Sequence, residues 1–383
     1  MTGGGALAGL RVLEVGSAAA YAGKLFRDHG ADVFLIEPPE GSDLRFRPPF
    51  IENANVPERS LSFMYLAAGK KSIVIDLEDA AERNRFRELI ANADIVLDDR
   101  LRNWWDERDL GYESLRALNS RLVWCSVTPF GQTGPYADRA SCELVAMATG
   151  GMTWLTGYAD TPVTCRGGIA ERSAALYAAV ASLAVALGPD CARGRYIDVS
   201  VQEVIALGTE TGPQFHDLQG ILRRRNPDFQ KQAGIGVYPC LDGWVMVYAA
   251  EAGVGTGWTR LIEWMVSEGI DEARSMLSEE WATNEHKQSP AARKQFAEAF
   301  ARFAARRPKQ EMFVEGQRRR IAIAPVNGPE EVLNDPHLQE TDFFRKIDLP
   351  DGRHIRVPGA AFRMSRTPAQ AGRSAPVLNG TGQ

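Results

Sequence analysis

The chain has 383 residues, of which 44% are hydrophobic and 24% are charged, a composition typical of a folded globular protein large enough for two domains. Its net charge of −5, from 44 Lys and Arg against 49 Asp and Glu, argues against a nucleic-acid-binding protein, which would carry a basic surface. Five scattered cysteines without CxxC spacing predict no metal site and favour a reducing, cytoplasmic location, and neither a signal peptide nor a membrane span is predicted.

The first half of the chain alternates short apolar runs with helical patterns. Strands are predicted at 10–15, 31–37, 71–76, 94–97, 122–127 and 194–200, and helices at 21–29, 79–92 and 170–187. This alternation predicts right-handed βαβ units and a parallel sheet covered on both faces. Ligands of such sheets bind at the carboxyl ends of the strands, so the loops that follow the strands are the candidate site.

The second half is organised differently. Residues 237–240 and 244–248 flank an Asp-Gly turn and predict a hairpin, and Glu-, Ala- and Arg-rich helices follow to about residue 318. A return segment begins near residues 323–326, and residues 372–383 predict a loose tail. The predicted α/β organisation is a large Rossmann-like domain from 1–210, a small inserted α+β domain from 225–318, and a segment from 319–383 that completes the large domain.

Many short motifs, in order over nearly the whole chain, resemble the class III CoA-transferase family. The matching stretches are 10–14, 21–23, 30–33, 36–37, 69–73, 93–96, 110–113, 130–136, 194–195, 197–200, 237–240, 242–243, 335–338, 358–359, 365–368 and 375–378. The resemblance implies a Rossmann-like large domain, an inserted small domain and an interlocked dimer. It also implies the activity: transfer of coenzyme A between an acyl-CoA and a carboxylic acid through a covalent enzyme intermediate, with no metal and no tightly bound cofactor.

The family's nucleophile is an aspartate that opens a helix of small residues. The matching stretch here is 167–177, where Glu171 stands at the aspartate position, so the resemblance implies Glu171 as the catalytic residue. A carboxylate suits this chemistry because its anhydride keeps the acyl group activated. One extra methylene shifts the reacting oxygen by roughly an ångström, and a misplacement of that size can cost about a hundredfold in rate. The alternative interpretation is a first-turn acid that is stabilised by the helix dipole.

The resemblance also implies a CoA-binding site at the strand ends. The family's contacts map to Ile75, Asp76, Asp99, Arg100, Leu101, Arg139, Ala140, Ser141, Cys142 and Glu143. Positive charge for the phosphates could come from Lys70, Lys71, Arg100, Arg102 and Arg139.

The family's racemases place a histidine acid/base group where this chain has Cys142. A thiol with a pKa near 8.5 replaces imidazole poorly, so racemase chemistry is disfavoured, although Glu251 falls near another racemase acid. The alternative interpretation of Cys142 is a small buried filler.

Several positions depart from the transferase pattern. The loop 16–20 is short and lacks a glutamine, Pro38 stands where an arginine often contacts the nucleotide, and Glu78 replaces a lysine of formyl-CoA transferase. These departures lie at the active site while the framework motifs remain. A second hypothesis is therefore a non-catalytic or substrate-binding subunit of a heteromeric transferase, and a third is a related racemase, isomerase or lyase that uses Glu171 as a base.

Overall fold

The computed structural model describes residues 4–53, 59–209, 211–225, 230–249, 257–349 and 352–380. Glu251 lies outside them. The chain divides into two compact units. The first comprises Met1–Thr153, Thr164–Ile221 and Pro336–Gln383, and the second comprises Trp154–Val163 and Leu222–Asp335.

The strands and helices alternate along the first half of the chain, as predicted. The strands are β1 (Arg11–Val15), β2 (Asp32–Glu37), β3 (Lys71–Val74), β4 (Ile95–Asp98), β5 (Val123–Thr128), β6 (Tyr196–Ser200), β7 (Gln230–Gln232), β8 (Ile235–Cys240), β9 (Gly243–Tyr248), β10 (Ala322–Pro325), β11 (Phe344–Asp348) and β12 (His354–Pro358).

The α-helices are α1 (Ala20–Asp28), α2 (Leu61–Leu66), α3 (Ala80–Ile90), α4 (Arg102–Asp106), α5 (Tyr112–Leu115), α6 (Glu143–Thr149), α7 (Met152–Leu155), α8 (Ile169–Ala186), α9 (Val201–Leu207), α10 (Thr211–Gln219), α11 (Trp258–Ser267), α12 (Asn284–Gln288), α13 (Pro290–Ala304), α14 (Lys309–Arg318), α15 (Pro329–Leu333) and α16 (Pro336–Glu340). Short 3₁₀ helices span Asp43–Phe46, Ile51–Asn53, Asp271–Leu277 and Glu279–Ala282.

A six-stranded parallel sheet forms the centre of the first unit, in the order β3-β2-β1-β4-β5-β6. All residues of β4 and β5 are buried, which explains why these strands are apolar runs without alternation. The chain moves outward from β1 to β2 and β3 on one side and then continues at β4 on the other. The strand order therefore reverses between β1 and β4, the place where open α/β sheets bind ligands. The Rossmann-like α/β fold predicted from the sequence is confirmed.

The helix α8 packs against α1 and β5 through small side chains. Ala170, Ala174 and Ala178 are fully buried there, while Leu176 and Val180 on the opposite face are 49% and 62% exposed. By length and composition alone α8 could cross a membrane. Its alanine face belongs to the core of the first unit, which identifies it as a core helix.

The C-terminal segment lies along the edge strand β3, so the prediction of a loose tail was wrong for residues 374–380. The amide of Ser72 donates to the carbonyl of Gly380 at 2.7 Å, and the amide of Gly69 donates to that of Ser374 at 2.8 Å. Ser72 Oγ accepts from the amide of Asn379 at 2.9 Å. An exposed strand edge offers unpaired backbone groups, and this segment satisfies them although its own composition is typical of a tail.

The second unit is built on the antiparallel sheet β10-β9-β8-β7. The hairpin predicted around the Asp-Gly turn is present as β8 and β9, with Cys240 opposite Gly243. Helices α11 and α13 cover one face of this sheet through a buried aromatic cluster that includes Trp258, Phe296 and Phe300. The strand β10 lies in the segment 319–383 that was expected to return to the large domain; it pairs with β9, and its Ile323 is buried in this same core.

Candidate active site

The loops that follow β1 and β4 meet where the strand order reverses. The Asp99 carboxylate accepts hydrogen bonds from the amides of Ser17 at 2.6 Å and Ala18 at 3.0 Å. Gly16 has φ +91°, and a Cβ there would come within 1.9 Å of Asp99 Oδ1. A glycine is therefore required for this contact, which fixes the loop 16–18 as a wall between two clefts.

The first of these, here called the acidic cleft, has a volume of about 560 Å³ at the carboxyl ends of β1, β2 and β4. It is lined by Val15, Gly16, Ile36, Glu37, Pro38, Pro39, Glu40, Ser42, Asp43, Ile75, Asp76, Leu77, Glu78, Asp99, Arg100 and Trp104. Among the described residues, this lining holds six carboxylates and one guanidinium; Glu37 is buried in an ion pair with Arg45 and Glu78 pairs with Arg108, which leaves four carboxylates without an ion pair. Four predicted CoA contacts, Ile75, Asp76, Asp99 and Arg100, lie in it, but its charge is the opposite of what phosphates require.

The basic groups at this cleft are stacked on one indole. The guanidinium carbons of Arg100 and Arg108 lie 4.0 and 4.1 Å from the ring centroid of Trp104. Arg108 Nη2 also pairs with Glu78 Oε2 at 2.8 Å, so its charge is already compensated. Arg100 Nε is buried and has no hydrogen-bond partner among the described residues, and no ion pair compensates the Arg100 guanidinium among them.

A buried carboxylate supports this wall from behind. Asp98 Oδ1 accepts from the Trp105 indole at 3.0 Å and from the amide of Arg100 at 2.8 Å, and its other oxygen accepts from the Trp124 indole. Burial raises the pKa of Asp98 to about 7. Burial also raises the pKa of the neighbouring Asp99. Through its hydrogen bond with the amide of Arg100, Asp98 fixes the backbone that carries Arg100.

The second cleft, here called the Glu171 cleft, has a volume of about 300 Å³. It is lined by Ser17, Ala18, Tyr21, Leu44, Arg47, Pro48, Pro49, Ser62, Leu66, Gly167, Gly168, Glu171 and Arg172. Among its charged groups are two guanidiniums and one carboxylate. The Glu171 cleft therefore holds more positive than negative groups, the reverse of the acidic cleft.

Glu171 is held from two sides. Arg47 Nη1 donates to Glu171 Oε2 at 2.7 Å, and Arg47 Nη2 donates to Ser17 Oγ at 2.8 Å. The Glu143 carboxylate accepts from the amides of Ala170 at 2.9 Å and Glu171 at 3.3 Å, and thereby caps the start of α8. The side chain of Glu171 is 35% exposed, so a substrate can reach it.

A smaller cavity of about 60 Å³ adjoins Glu171 on its other side, with Ser141, Cys142 and Glu143 in its wall. Cys142 precedes the first turn of α6 and is exposed. The interpretation of Cys142 as a buried filler was therefore wrong, because its position before a helix start on the surface leaves the side chain outside the core.

Other predicted contacts lie elsewhere. Leu101 precedes α4, and Arg139 and Ala140 are exposed on the loop before α6; none of the three lines these cavities. Their contact with CoA stays a prediction.

Both lysines that were predicted to bind phosphates have other partners. Lys70 is fully buried, and its Nζ donates to both oxygens of Glu14 at 2.6 and 2.7 Å. Lys71 Nζ pairs with Asp32 at 2.6 Å. The prediction was wrong for Lys70, which immediately precedes β3 and is buried in the core, where the Glu14 carboxylate compensates it.

Sequence reasoning missed Arg47, Arg172 and Trp104. Arg47 follows the short 3₁₀ helix that begins at Asp43 and reaches Glu171 across 124 positions of sequence. No periodicity marks such a contact. The available signal for Arg172 was the Gly167-Gly168 pair before α8, because a glycine-rich loop that leads into a helix N-terminus is typical of anion-binding sites.

Comparison with known proteins gives a consistent result. A family model described as CoA-transferase family III matches residues 7–381. The chain is 34% identical over 373 residues to the succinyl-CoA:(R)-benzylsuccinate CoA-transferase subunit BbsE of Thauera aromatica, covering 96% of this chain and 90% of that protein. It is 30% identical over 377 residues to the succinyl-CoA–D-citramalate CoA-transferase of Chloroflexus aurantiacus, with 96% and 90% covered.

A solved structure agrees. The crystal structure of a CAIB/BAIF family protein from Brucella suis superposes with a TM-score of 0.84 at 26% identity, covering 98% of this chain and 97% of that one. The function predicted from the sequence, CoA transfer between an acyl-CoA and a carboxylic acid, is confirmed. The chain is a CoA-transferase that belongs to CoA-transferase family III.

Proposed function

We propose that this chain transfers CoA through a covalent intermediate on Glu171, with succinyl-CoA as the donor. The observation that carries the proposal is the position of the Glu171 carboxylate. It lies in the first turn of α8, in the wall of a cleft, partly exposed, and fixed by Arg47 and by the backbone cap of Glu143. The donor follows from the names of the relatives, which act on succinyl-CoA.

The proposed transfer requires a single carboxylate of the protein, that of Glu171. A Glu171 oxygen attacks the thioester carbonyl, the carbon–sulfur bond breaks, and a mixed anhydride and the CoA thiolate form. The thiolate then attacks the Glu171 carbonyl carbon, which releases the donor acid and leaves a CoA thioester on Glu171. The acceptor carboxylate attacks this thioester, and the returning thiolate takes the acceptor acyl group and restores Glu171.

The test is to trap the intermediate. The full chain is incubated with succinyl-CoA and hydroxylamine, and the peptide that contains Glu171 is analysed by mass spectrometry. A hydroxamate is expected on Glu171 in the wild type and not in Glu171→Gln, because an amide lacks the attacking anionic oxygen. Glu203→Gln is the matched control, since Glu203 is an exposed first-turn acid of α9. An unmodified Glu171 with every acyl-CoA tried would refute the proposal.

Shortening the side chain sharpens the test. Arg47 meets Glu171 Oε2 at 2.7 Å, so the surroundings are matched to the longer acid. We expect Glu171→Asp to lose roughly a hundredfold in kcat from misplacement of the reacting oxygen. Unchanged or higher activity in Glu171→Asp would show that the pocket is built for aspartate.

A second candidate is a subunit of a heteromeric transferase whose other chain carries the nucleophile. Two observations favour it: one relative is itself named a subunit, and the acidic cleft is poor in phosphate-binding charge. Purification with and without a paralogous chain, followed by an exchange assay, separates the two. Activity that appears only with the partner and survives Glu171→Gln would support the subunit.

In either case we propose a dimer, formed with a second copy or with a paralogue. Leu176, Tyr177 and Val180 on the outer face of α8 are about half exposed or more, and contiguous apolar patches of this kind mark association surfaces. A stable, folded monomer at micromolar concentration in analytical ultracentrifugation would contradict this.

We also propose a cytoplasmic location. All five cysteines lie in the described residues and are free, and three of them are exposed: Cys142, Cys165 and Cys191. Free exposed thiols suit a reducing compartment. Recovery of the native protein in a membrane or secreted fraction would contradict the proposal.

A further inference from the structure

The Glu171 cleft holds two guanidiniums close to the proposed nucleophile. Arg47 and Arg172 both line it, together with the hydroxyl-bearing residues Ser17, Tyr21 and Ser62. A guanidinium offers a planar fork of donors that matches a carboxylate. With a volume of about 300 Å³, the cleft is of the size that binds small organic molecules.

The charges of this cleft are not compensated equally. Arg47 pairs with Glu171 at 2.7 Å. The side chain of Arg172 is exposed and makes no hydrogen bond or ion pair with any residue that the structure describes. With Glu171 ionised, the two guanidiniums therefore face a single carboxylate, and the cleft attracts a further anion.

Covalent catalysis would change this balance. This step rests on the proposed function, in which Glu171 becomes an anhydride and then a thioester. Both are neutral, so Arg47 loses its ionic partner at each of them. Its remaining hydrogen bond, to the neutral hydroxyl of Ser17, leaves the positive charge uncompensated.

We infer that Arg47, together with Arg172, binds the second carboxylate of a dicarboxylic acid, and that this cleft therefore selects dicarboxylates over monocarboxylates. The distal carboxylate replaces Glu171 as the partner of Arg47 while the intermediate exists. When Glu171 is restored as an anion, it competes again for Arg47 and helps to release the product acid. Arg47 is thus a specificity-determining residue.

A binding experiment tests the exchange without catalysis. Glu171→Gln removes the negative charge, as the covalent intermediates do, and its side chain is 35% exposed, so the substitution leaves the core intact. By calorimetry on the full chain, we expect Glu171→Gln to bind succinate at least tenfold more tightly than the wild type, whereas butyrate, whose single carboxylate can pair with only one of the two guanidiniums, should gain less. The double variant with Arg47→Gln should lose the gain. No gain for succinate, or an equal gain for butyrate, would overturn the inference.

A kinetic experiment gives an independent measure. The ratio of kcat/KM for succinate over butyrate as acceptor should fall at least tenfold in Arg47→Gln and less in Arg47→Lys, which keeps the charge but not the fork. Using the ratio removes any effect common to both acids. Arg121→Gln is the matched control, because Arg121 is exposed and lines neither cleft. An unchanged ratio in Arg47→Gln would refute the assignment.

Different results would refute the covalent role of Glu171 and the binding role of Arg47. If the tighter succinate binding is found but no adduct forms on Glu171, the cleft binds dicarboxylates and the nucleophile is wrong. If the adduct forms but succinate and butyrate behave alike in both experiments, Glu171 is the nucleophile and the role of Arg47 is wrong.

Discussion

The acidic cleft and the Glu171 cleft lie at the same edge of the same sheet and carry opposite charge. The loop 16–18 separates them: Gly16 lines the acidic cleft, whereas Ser17 lines the Glu171 cleft. The acidic cleft is rich in carboxylates, which suit the hydroxyl and amino groups of a nucleoside as hydrogen-bond acceptors. The Glu171 cleft suits carboxylic acids. The fold therefore supplies the location of both clefts, and individual side chains on the loops set their opposite charge.

Asp99 connects the two regions. Its carboxylate faces the acidic cleft but accepts from the amides of Ser17 and Ala18, whose side chains face the other one. The loop 16–18 that lines the Glu171 cleft is thus held by a carboxylate that lines the acidic cleft.

The largest effect should come from Glu143→Ala, which lies in the wall of the smaller cavity beside Glu171 and not in the acidic cleft. Glu143 accepts from the amides of Ala170 and Glu171, so it positions the backbone of the proposed nucleophile. Loss of this cap should lower kcat by about a hundredfold, because small misplacements of a reacting group are that costly. The free energy of unfolding should fall by only about 1 kcal/mol, the usual cost of a lost helix cap.

The control for this variant is Glu203→Ala, an exposed acid in the first turn of α9 that lines none of the three cavities. Its kcat should equal that of the wild type. If Glu143→Ala instead raised the KM for acyl-CoA and left kcat unchanged, Glu143 would be a CoA contact, as the family resemblance implied, and its positioning role would be wrong.

An intermediate effect is expected for Arg100→Ala in the acidic cleft. Arg100 is the guanidinium in the lining of this cleft, and its buried Nε lacks a partner among the described residues. A hydrogen bond to a charged group contributes about 1.5–3 kcal/mol, so the Kd of CoA should rise about tenfold or more. Calorimetry with CoA measures this, with the exposed Arg116→Ala as the control. An unchanged Kd of CoA would show that the CoA phosphates do not contact Arg100.

The fold could be predicted from the sequence because its signals are local. The strands β1 to β5 are short segments rich in apolar residues, and the hairpin of β8 and β9 carries its own Asp-Gly turn. The C-terminal segment gave no such signal. Its order comes from pairing with β3, about three hundred positions earlier, through contacts such as that between Ser72 and Gly380.

The candidate site was predicted only where a motif marks it. The family resemblance implied both Glu171, at the start of a helix of small residues, and Ile75, after a predicted strand. The burial of Lys70 beside Glu14 and the contact of Arg47 with Glu171 depend on tertiary packing, and an isolated charged residue gives no sign of its partner. The sequence therefore indicated Arg100, which lines the acidic cleft, but gave no sign that Lys70 is buried or that Arg47 contacts Glu171.

The smallest effect is expected for Glu78→Gln, which makes the acidic cleft less acidic. Glu78 pairs with Arg108, and the side chain of Glu78 is 63% exposed, so its charge is largely screened by solvent. Removing one charge at about 10 Å in water changes an interaction by roughly 0.4 kcal/mol, so CoA should bind about twofold more tightly at low ionic strength. The gain should disappear near 1 M salt, where the Debye length is about 3 Å.

A matched control separates the effect of removing a charge at the cleft from the effect of breaking an ion pair. Glu113→Gln also removes the partner of an arginine, Arg116, but away from both clefts, and it should leave the Kd of CoA unchanged at any ionic strength. Weaker CoA binding in Glu78→Gln at both salt concentrations would mean that Glu78 accepts a hydrogen bond from the nucleoside directly. In that case the carboxylates of the acidic cleft are ligands of CoA, and the charge difference between the two clefts reflects the two ends of one substrate.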